Sequence, residues 1–466
     1  MQVKPKDIEI DQDNPFANDL LHRKEEIENL SPLLLNMAGP FVFSIDSPWG
    51  TGKTTFIKLW RSWLQSQEVS SIYFNAWESD YTEDPLVALV SELDKWVLSR
   101  GSETAADGAW KKAKSLLPGI AKSTAVAAAK AATFGGLDIE KEYEKVAADI
   151  AGGVANDLVD SFNIQSEAIR VFKGKIEETL SELGGSQNNI IIFIDELDRC
   201  RPSYAIQLLE RIKHLFNIDR LVFVLSTDFD QLSHSICAIY GNNFDARKYL
   251  QRFIDLDYSL KEPESKIYIK SLFHSLSVND YFSQRREGNY ELKNLTDLCV
   301  VLTDRFKLSL RDINQLIMRI RLILSSVPPA HYLDSAMIVS LLLLRKYNKN
   351  LYSKYSVDPS VADEVIEFLS TGLPSESKNS VPFCLIIGYL ISPNMGLQGD
   401  RFNELLSPYE EIISNEEDTT DLYRTAYKII QTAKNTRDFG RTMSHKNSID
   451  RIELLHRINI GLKHEG

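Results

Sequence analysis

Apolar and polar residues follow two different rhythms along this chain. The runs Phe41–Asp46, 189–195 (Asn-Ile-Ile-Ile-Phe-Ile-Asp) and Leu221–Ser226 are apolar at almost every position. That pattern predicts strands covered on both faces, as in a parallel sheet. Ser70–Asn75 fits a further strand and Arg252–Tyr258 a last one. Between them the period becomes helical: Asp19–Met37 with Leu20, Ile27, Leu30 and Leu34 on one face, a helix running to Leu64, and Pro85–Leu98. Strands alternating with helices predict a doubly wound parallel α/β sheet.

From about Arg100 to Ser186 the composition shifts to Ala, Lys, Glu and Gly, with glycine pairs at Gly135-Gly136 and Gly152-Gly153. This predicts a helical insertion within the sheet domain. Beyond Pro263 the pattern is helical throughout, and Met337–Leu344 and Phe383–Ile391 read as buried helices. The expected divisions are an arm over 1–18, the sheet domain in two parts at 19–100 and 187–262, the insertion at 101–186, a helical lid at 263–330 and a C-terminal helical domain at 331–466.

Composition adds bounds. Hydrophobic and charged fractions of 43% and 25% are ordinary for a soluble globular protein. Cys200, Cys237, Cys299 and Cys384 are scattered without a Cys-x-x-Cys pair, which argues against a zinc site or disulfide framework and for a reducing, cytoplasmic setting. No signal-peptide pattern opens the chain, and the weakly apolar window Leu116–Leu137 is broken by Lys122 and Lys130, so no transmembrane segment is expected. Net charge is −12, yet Lys428–Gly466 holds 8 Lys/Arg against 4 Asp/Glu, a local excess of +4. Such a tail suits nucleic acid or an acidic partner, or it is a solvated helix face. His445, His456 and His464 fit no metal spacing well.

The chemistry concentrates after the first strand. Ser47-Pro48-Trp49-Gly50-Thr51-Gly52-Lys53-Thr54-Thr55 follows a buried strand and opens a helix. A loop of this kind wraps backbone N–H groups around a polyphosphate, with Lys53 on the outer phosphates and the Thr54 hydroxyl on Mg²⁺. Trp49, Gly50, Thr51, Gly52, Lys53, Thr54 and Thr55 are therefore the expected ATP-binding residues. The usual first glycine is replaced by Ser47. At the end of the 189–195 strand, Asp195 suits the Mg²⁺ shell, and Glu196 is placed to orient and deprotonate an attacking water. An acidic pair capping a strand end is the alternative.

Together with Asn18-Asp19-Leu20-Leu21-His22-Arg23, Phe74-Asn75-Ala76-Trp77 and Asp195-Glu196-Leu197-Asp198-Arg199-Cys200-Arg201-Pro202, this loop resembles the KAP family of P-loop NTPases, related to AAA+ and STAND ATPases. Lys248–Ile254 also resembles that family's Tyr-Leu-Glu-Lys segment. The resemblance implies a P-loop NTPase fold with Mg²⁺-dependent ATP hydrolysis, a protein partner or homo-oligomer, and a role in bacterial defence against phage or plasmids. It also implies Asp19 and Arg23 near the adenine, Asp228 as a polar sensor of the γ-phosphate or a strand-end cap, and Arg311 as a sensor arginine or a surface ion pair. Arg199 or Arg252 would be an arginine finger or be paired to a nearby acid, and Trp77 core packing beside the site. Family members commonly carry Asp-Asp where this chain has Asp195-Glu196, and many have membrane hairpins in an insertion that here is too polar to span. A nucleotide-gated switch with negligible turnover and a nucleic-acid motor or clamp are the competing functional readings.

Overall fold

Strands in this protein are laid down out of chain order, and that order decides where the loops meet. The computed structural model describes residues 10–11, 13–37, 39–100, 108–117, 120, 155–183, 189–262, 264–327, 334–394, 400–415, 421–438 and 445–457. The chain divides into two units, Ile8–Glu262 and a second comprising Pro263–Gly466.

In the first unit, β1 (Phe41–Asp46), β2 (Ser71–Asn75), β3 (Ile190–Asp195), β4 (Leu221–Thr227) and β5 (Leu256–Ser259) form one parallel sheet in the order β2-β3-β4-β1-β5. β3 and β4 are buried at every position, as their unbroken apolar runs require. The short edge strand β5 is largely exposed. It starts later than the sequence pattern suggests, because the aromatic residues before it are drawn into another element. Tyr249 packs against Tyr240, Phe244 and Phe253 around the short helix Ala246–Leu250, so that segment cannot extend.

Helices α1 (Lys24–Leu35), α2 (Lys53–Ser66), α3 (Pro85–Ser99), α4 (Ala155–Leu183), α5 (Pro202–Leu215) and α6 (Phe229–Tyr240) cover the two sheet faces. Strand alternation sorts the core into two layers. Phe43, Ile45, Ile191, Phe193, Val222 and Val224 face α1 and α2, while Val42, Ile192, Ile194, Phe223 and Leu225 face the other side. α1 begins at Lys24, later than Asp19, because His22 sits at φ 53° and ends the preceding turn. At its other end, the Asn189 amide donates to the carbonyls of Leu34 and Met37 at 2.9 Å each, satisfying acceptors that a helix terminus leaves open.

The insertion rejoins the sheet domain through α4, whose Phe172, Ile176 and Leu180 are buried in the second core layer. Before it, Trp110 Nε1 and Lys114 Nζ both donate to Asp94 on α3, at 2.5 and 2.6 Å. The two glycine pairs, Lys122, Lys130 and most of the Leu116–Leu137 window lie outside the described residues. Among the described residues, no helix is long and apolar enough to cross a membrane.

The second unit is helical: α7 (Ser265–Ser275), α8 (Val278–Ser283), α9 (Gly288–Phe306), α10 (Leu310–Ser325), α11 (Ser335–Tyr347), α12 (Lys349–Val357), α13 (Ala362–Ser370), α14 (Val381–Ile391), α15 (Arg401–Ser414), α16 (Asp421–Asp438) and α17 (His445–Arg457). α11 is buried from Ser335 through Leu344, as its apolar run predicts. Part of the basic tail is used internally: Lys434 meets Glu410 at 3.3 Å, and Arg451 donates to Ser326 Oγ at 2.6 Å. His445 packs edge-on against Tyr355, ring centroids 5.0 Å apart. Residues 439–444 and 458–466, His464 included, lie outside the described residues.

The first layer centres on Trp60 of α2, which is fully buried against Phe43, Phe56 and Phe193 with ring centroids 5.5–6.4 Å apart. Its Nε1 donates to Ser31 Oγ of α1 at 2.8 Å, so one side chain joins two helices and two strands. Trp60→Ala is expected to destabilise the protein by about 3–5 kcal/mol, the range for emptying a large aromatic site. Chemical denaturation checks this, and a loss below about 1 kcal/mol would mean that the layer closes over the gap.

Candidate functional site

Parallel pairing brings the carboxyl ends of the strands to one edge, where open α/β sheets bind ligands. The register is explicit: Asp46 pairs with Thr227, Ser226 with Asp195, and Asp195 with Asn75. The loop after β1, the acidic end of β3, the cap after β4 and the end of β2 therefore lie side by side.

The loop is built around two glycines. Gly50 at φ 83° and Gly52 at φ 94° occupy the left-handed region that a β-carbon disfavours. Ser47, in the place of the usual glycine, is a stitch: its N–H donates to Thr227 O at 3.1 Å, and its hydroxyl donates to Thr51 Oγ1 at 2.8 Å. Thr51 in turn donates to Pro48 O at 2.8 Å. Among the described residues no backbone acceptor takes the N–H groups of Gly50 through Thr54. These donors stand at the N-terminus of α2, where the helix dipole adds positive potential, and so form a cradle for an anion.

Lys53 Nζ bends back to donate to the carbonyls of Ser47 and Pro48, and it lies 3.9 Å from Asp198 Oδ2. Burial pushes the Lys53 ammonium below its ordinary value, while Asp198, Asp228, Asp195 and Asp46 pull it back up. Burial likewise pushes Asp198 upward, opposed chiefly by Lys53. Asp198 holds the site together. Its Oδ2 accepts from Trp49 Nε1 at 2.7 Å and from the Asp228 N–H at 2.8 Å. Sequence reasoning assigned it no role, although it sits inside the Leu-Asp-Arg-Cys run.

Asp228 serves two neighbours. Oδ1 caps α6 by accepting from the N–H groups of Asp230 and Gln231 at 3.2 Å each, and Oδ2 accepts from the Trp49 N–H at 3.1 Å. Asp195 is buried, accepting from the Glu196 N–H at 3.0 Å and Tyr73 OH at 3.2 Å. Glu196 sits at φ 61°, which turns the chain sharply after β3. Its carboxylate pairs with Arg199 at 2.7 Å and accepts from Asn75 Nδ2 at 3.4 Å, while Arg199 lies over the Trp77 ring at 5.6 Å. Burial pushes Glu196 upward, and Arg199 opposes that shift.

Thr54 is half-buried on the first turn of α2. Among the described residues no three His, Cys, Asp or Glu side chains converge to hold a metal alone. The Thr54 hydroxyl and the Asp195 carboxylate are oxygen donors of the kind Mg²⁺ takes together with substrate phosphates. A recess of about 470 Å³ opens beside the loop, lined by Trp49, Trp77, Asp198, Arg199, Gln231 and His234 among others.

The remaining expected residues are scattered. Arg23 is buried within the first unit, donating to Glu26 at 2.7 Å and to Lys261 O at 2.8 Å, while its Nε and one terminal nitrogen find no partner among the described residues. Asp19 accepts from the Lys24 N–H at 2.9 Å, and its other oxygen is buried without a partner. Arg252 is exposed on the first unit. Arg311 belongs to the second unit, exposed on the first turn of α10, and no carboxylate among the described residues pairs with it.

The profile of the KAP family P-loop domain matches residues 23–327, more than half of the chain. This protein belongs to the KAP family of P-loop NTPases. The five strands, the loop after β1 and the acidic β3 end all lie within the matched residues. The chain is also similar to the Phage T7 exclusion protein of Escherichia coli (strain K12), 22% identical over 250 residues, covering 51% of this chain and 31% of that protein. It therefore spans about a third of that relative's length. Two solved structures align over most of the chain at low superposition scores. One is the Aeropyrum pernix ORC2 protein, at 12% identity and TM-score 0.33, covering 97% of this chain and 95% of that one. The other is the Aeropyrum pernix ORC1 protein in complex with DNA, at 16% identity and TM-score 0.31, covering 89% and 85%.

Asp198→Ala tests the junction. The buried Asp228 N–H would lose its acceptor, at about 1–3 kcal/mol for a group left buried and unpaired, and the more exposed Trp49 Nε1 would lose its anchor at smaller cost. A drop of several degrees in Tm by scanning calorimetry is expected, and an unchanged Tm would show that Asp198 does not join these segments.

Proposed function

We propose that this KAP protein binds ATP with Mg²⁺ and hydrolyses it, using the change of nucleotide state to drive a conformational change or assembly with a protein partner or another copy of itself. The observation that carries this reading is the row of free N–H groups from Gly50 to Thr54, lying across the sheet edge from the carboxylates that end β3.

In this reading the loop N–H groups and Lys53 hold the β- and γ-phosphates, and the loop carbonyls give up the ammonium when phosphate arrives. Thr54 and Asp195 would hold Mg²⁺, which would supply positive charge against the phosphate oxygens. Glu196 accepts the proton of the attacking water, and Asp228, which accepts the Trp49 N–H of the loop, is the candidate polar sensor of the γ-phosphate. Asp19 and Arg23, with buried atoms that lack partners, are the candidates on the adenine side. The direct pairing of Glu196 with Arg199 favours a second reading, a slow nucleotide-gated switch in which the base is engaged until Arg199 moves. The similarity to part of the Phage T7 exclusion protein supports phage exclusion as the biological setting. The basic residues of α16 and α17 leave nucleic acid a candidate partner.

Lys53→Ala should weaken ATP binding by roughly 10- to 100-fold, the loss of a charged hydrogen bond worth about 1.5–3 kcal/mol. Glu196→Gln should retain binding and slow phosphate release by roughly 10²–10⁴-fold, as for removal of a general base. Hydrolysis by Glu196→Gln at the wild-type rate would overturn the assignment of the base.

The pH dependence has a definite sign. Glu196 must be deprotonated to act, and burial raises its pKa, so kcat should fall as pH drops through that raised value. Arg199 holds the pKa down, so Arg199→Ala should move the acidic limb of the kcat profile to higher pH. A limb that stays in place would mean that another group sets it.

A further inference from the structure

Away from the nucleotide site, the second unit contains a recess of about 480 Å³ where α7, α8 and α9 meet. Lys266 and Lys270 of α7 and Lys293 of α9 line it. Lys266 is offset by Asp297 at 3.3 Å. Neither Lys270 nor Lys293 has an acidic partner among the described residues, and both are exposed at the rim. With Asp297 offsetting Lys266, the charged lining of the recess keeps a local excess of two ammonium groups on a chain that is acidic overall. Lys266 and Lys270 also stand four residues apart on one helix, a spacing at which like charges repel.

The walls are preformed. Gly288 opens α9 so close to α8 that a β-carbon there would lie 1.8 Å from Phe282 O. Arg285 and Glu291, each 5% exposed, form an ion pair across the same junction. Asn279 and Asn289 add side-chain amides that have no protein partner among the described residues, and Leu292 and Phe273 supply apolar lining.

We propose that this recess is a binding site for a small phosphorylated anion carrying at least two negative charges. Two unpaired ammonium groups set the charge to be neutralised. The donors are ammonium groups on flexible stems, the point charges by which lysine holds phosphate oxygens. The volume falls within the range of small-molecule pockets. This site is independent of the phosphate loop and of whether the protein hydrolyses ATP.

The test uses the full chain carrying Lys53→Ala, which weakens the loop as a competitor, with inorganic pyrophosphate as the probe in isothermal titration calorimetry at low salt. Saturable binding is expected, weakened at least tenfold by Lys270→Glu with Lys293→Glu and retained by Lys270→Arg with Lys293→Arg. Circular dichroism of each variant separates loss of the site from loss of the fold. No binding of pyrophosphate at millimolar concentration, or binding indifferent to the glutamate substitutions, would overturn the proposal. It would also be overturned if a single-stranded oligonucleotide bound through these lysines while pyrophosphate did not, since the surface would then be a nucleic-acid contact.

Discussion

The insertion of β4 between β1 and β3 is the constraint on which the rest of the first unit depends. β4 is buried along its whole length and pairs on both sides, with Phe41 opposite Val222 and Ile190 opposite Leu221. Because the pairing is parallel and nearly in step, β1, β4 and β3 reach the same edge at Asp46, Thr227 and Asp195. A slip of one residue would turn each strand's side chains to the opposite face and exchange the two core layers. The apolar layers thus fix the register, and the register sets the distance between the phosphate loop and the acidic β3 end.

That juxtaposition has an electrostatic consequence. Asp46, Asp195, Asp198, Asp228 and Glu196 surround one buried ammonium and one arginine, so the cleft is acidic. Burial pushes Asp46, Asp198 and Glu196 upward, each against partial relief from a neighbouring cation or hydrogen bond. An anion entering alone would meet these carboxylates. A polyphosphate accompanied by a divalent cation would instead add positive charge beside them and negative charge beside the free N–H groups of the loop. Under the proposed function, the carboxylates and the cradle would thus favour opposite parts of one metal–phosphate ligand.

Much of this was legible in the sequence because it rests on local pattern. The runs Phe41–Asp46 and Leu221–Ser226 could be recognised as covered strands since both faces of a central strand are apolar, and Gly50 and Gly52 marked a loop whose backbone can approach a ligand closely. Other features depend on side chains distant in sequence. Asp198 joins Trp49 and Asp228 across separations of 149 and 30 residues, and no periodicity announces such a contact. The pairing of Glu196 with Arg199 is local, yet whether Arg199 faces its own glutamate or a neighbour cannot be read from an i,i+3 spacing. β5 was displaced for a related reason: Tyr249 and Phe253 have strand-like composition, but the ring cluster with Tyr240 and Phe244 outweighs that propensity.

Ser47 shows how a departure from a motif can be physically neutral. A glycine at that position relieves a tight turn, and its loss would matter if the backbone there needed a positive φ. Here the positive φ values fall on Gly50 and Gly52, not on Ser47. The serine side chain is free to act as a local tie, bonding to Thr51 while its N–H bonds to β4. Its hydroxyl ties the start of the loop to the Thr51 side chain and leaves the N–H groups from Gly50 onward unobstructed. The loop thus keeps its open donors because the residue that departs from the pattern lies outside the segment that must curve around phosphate.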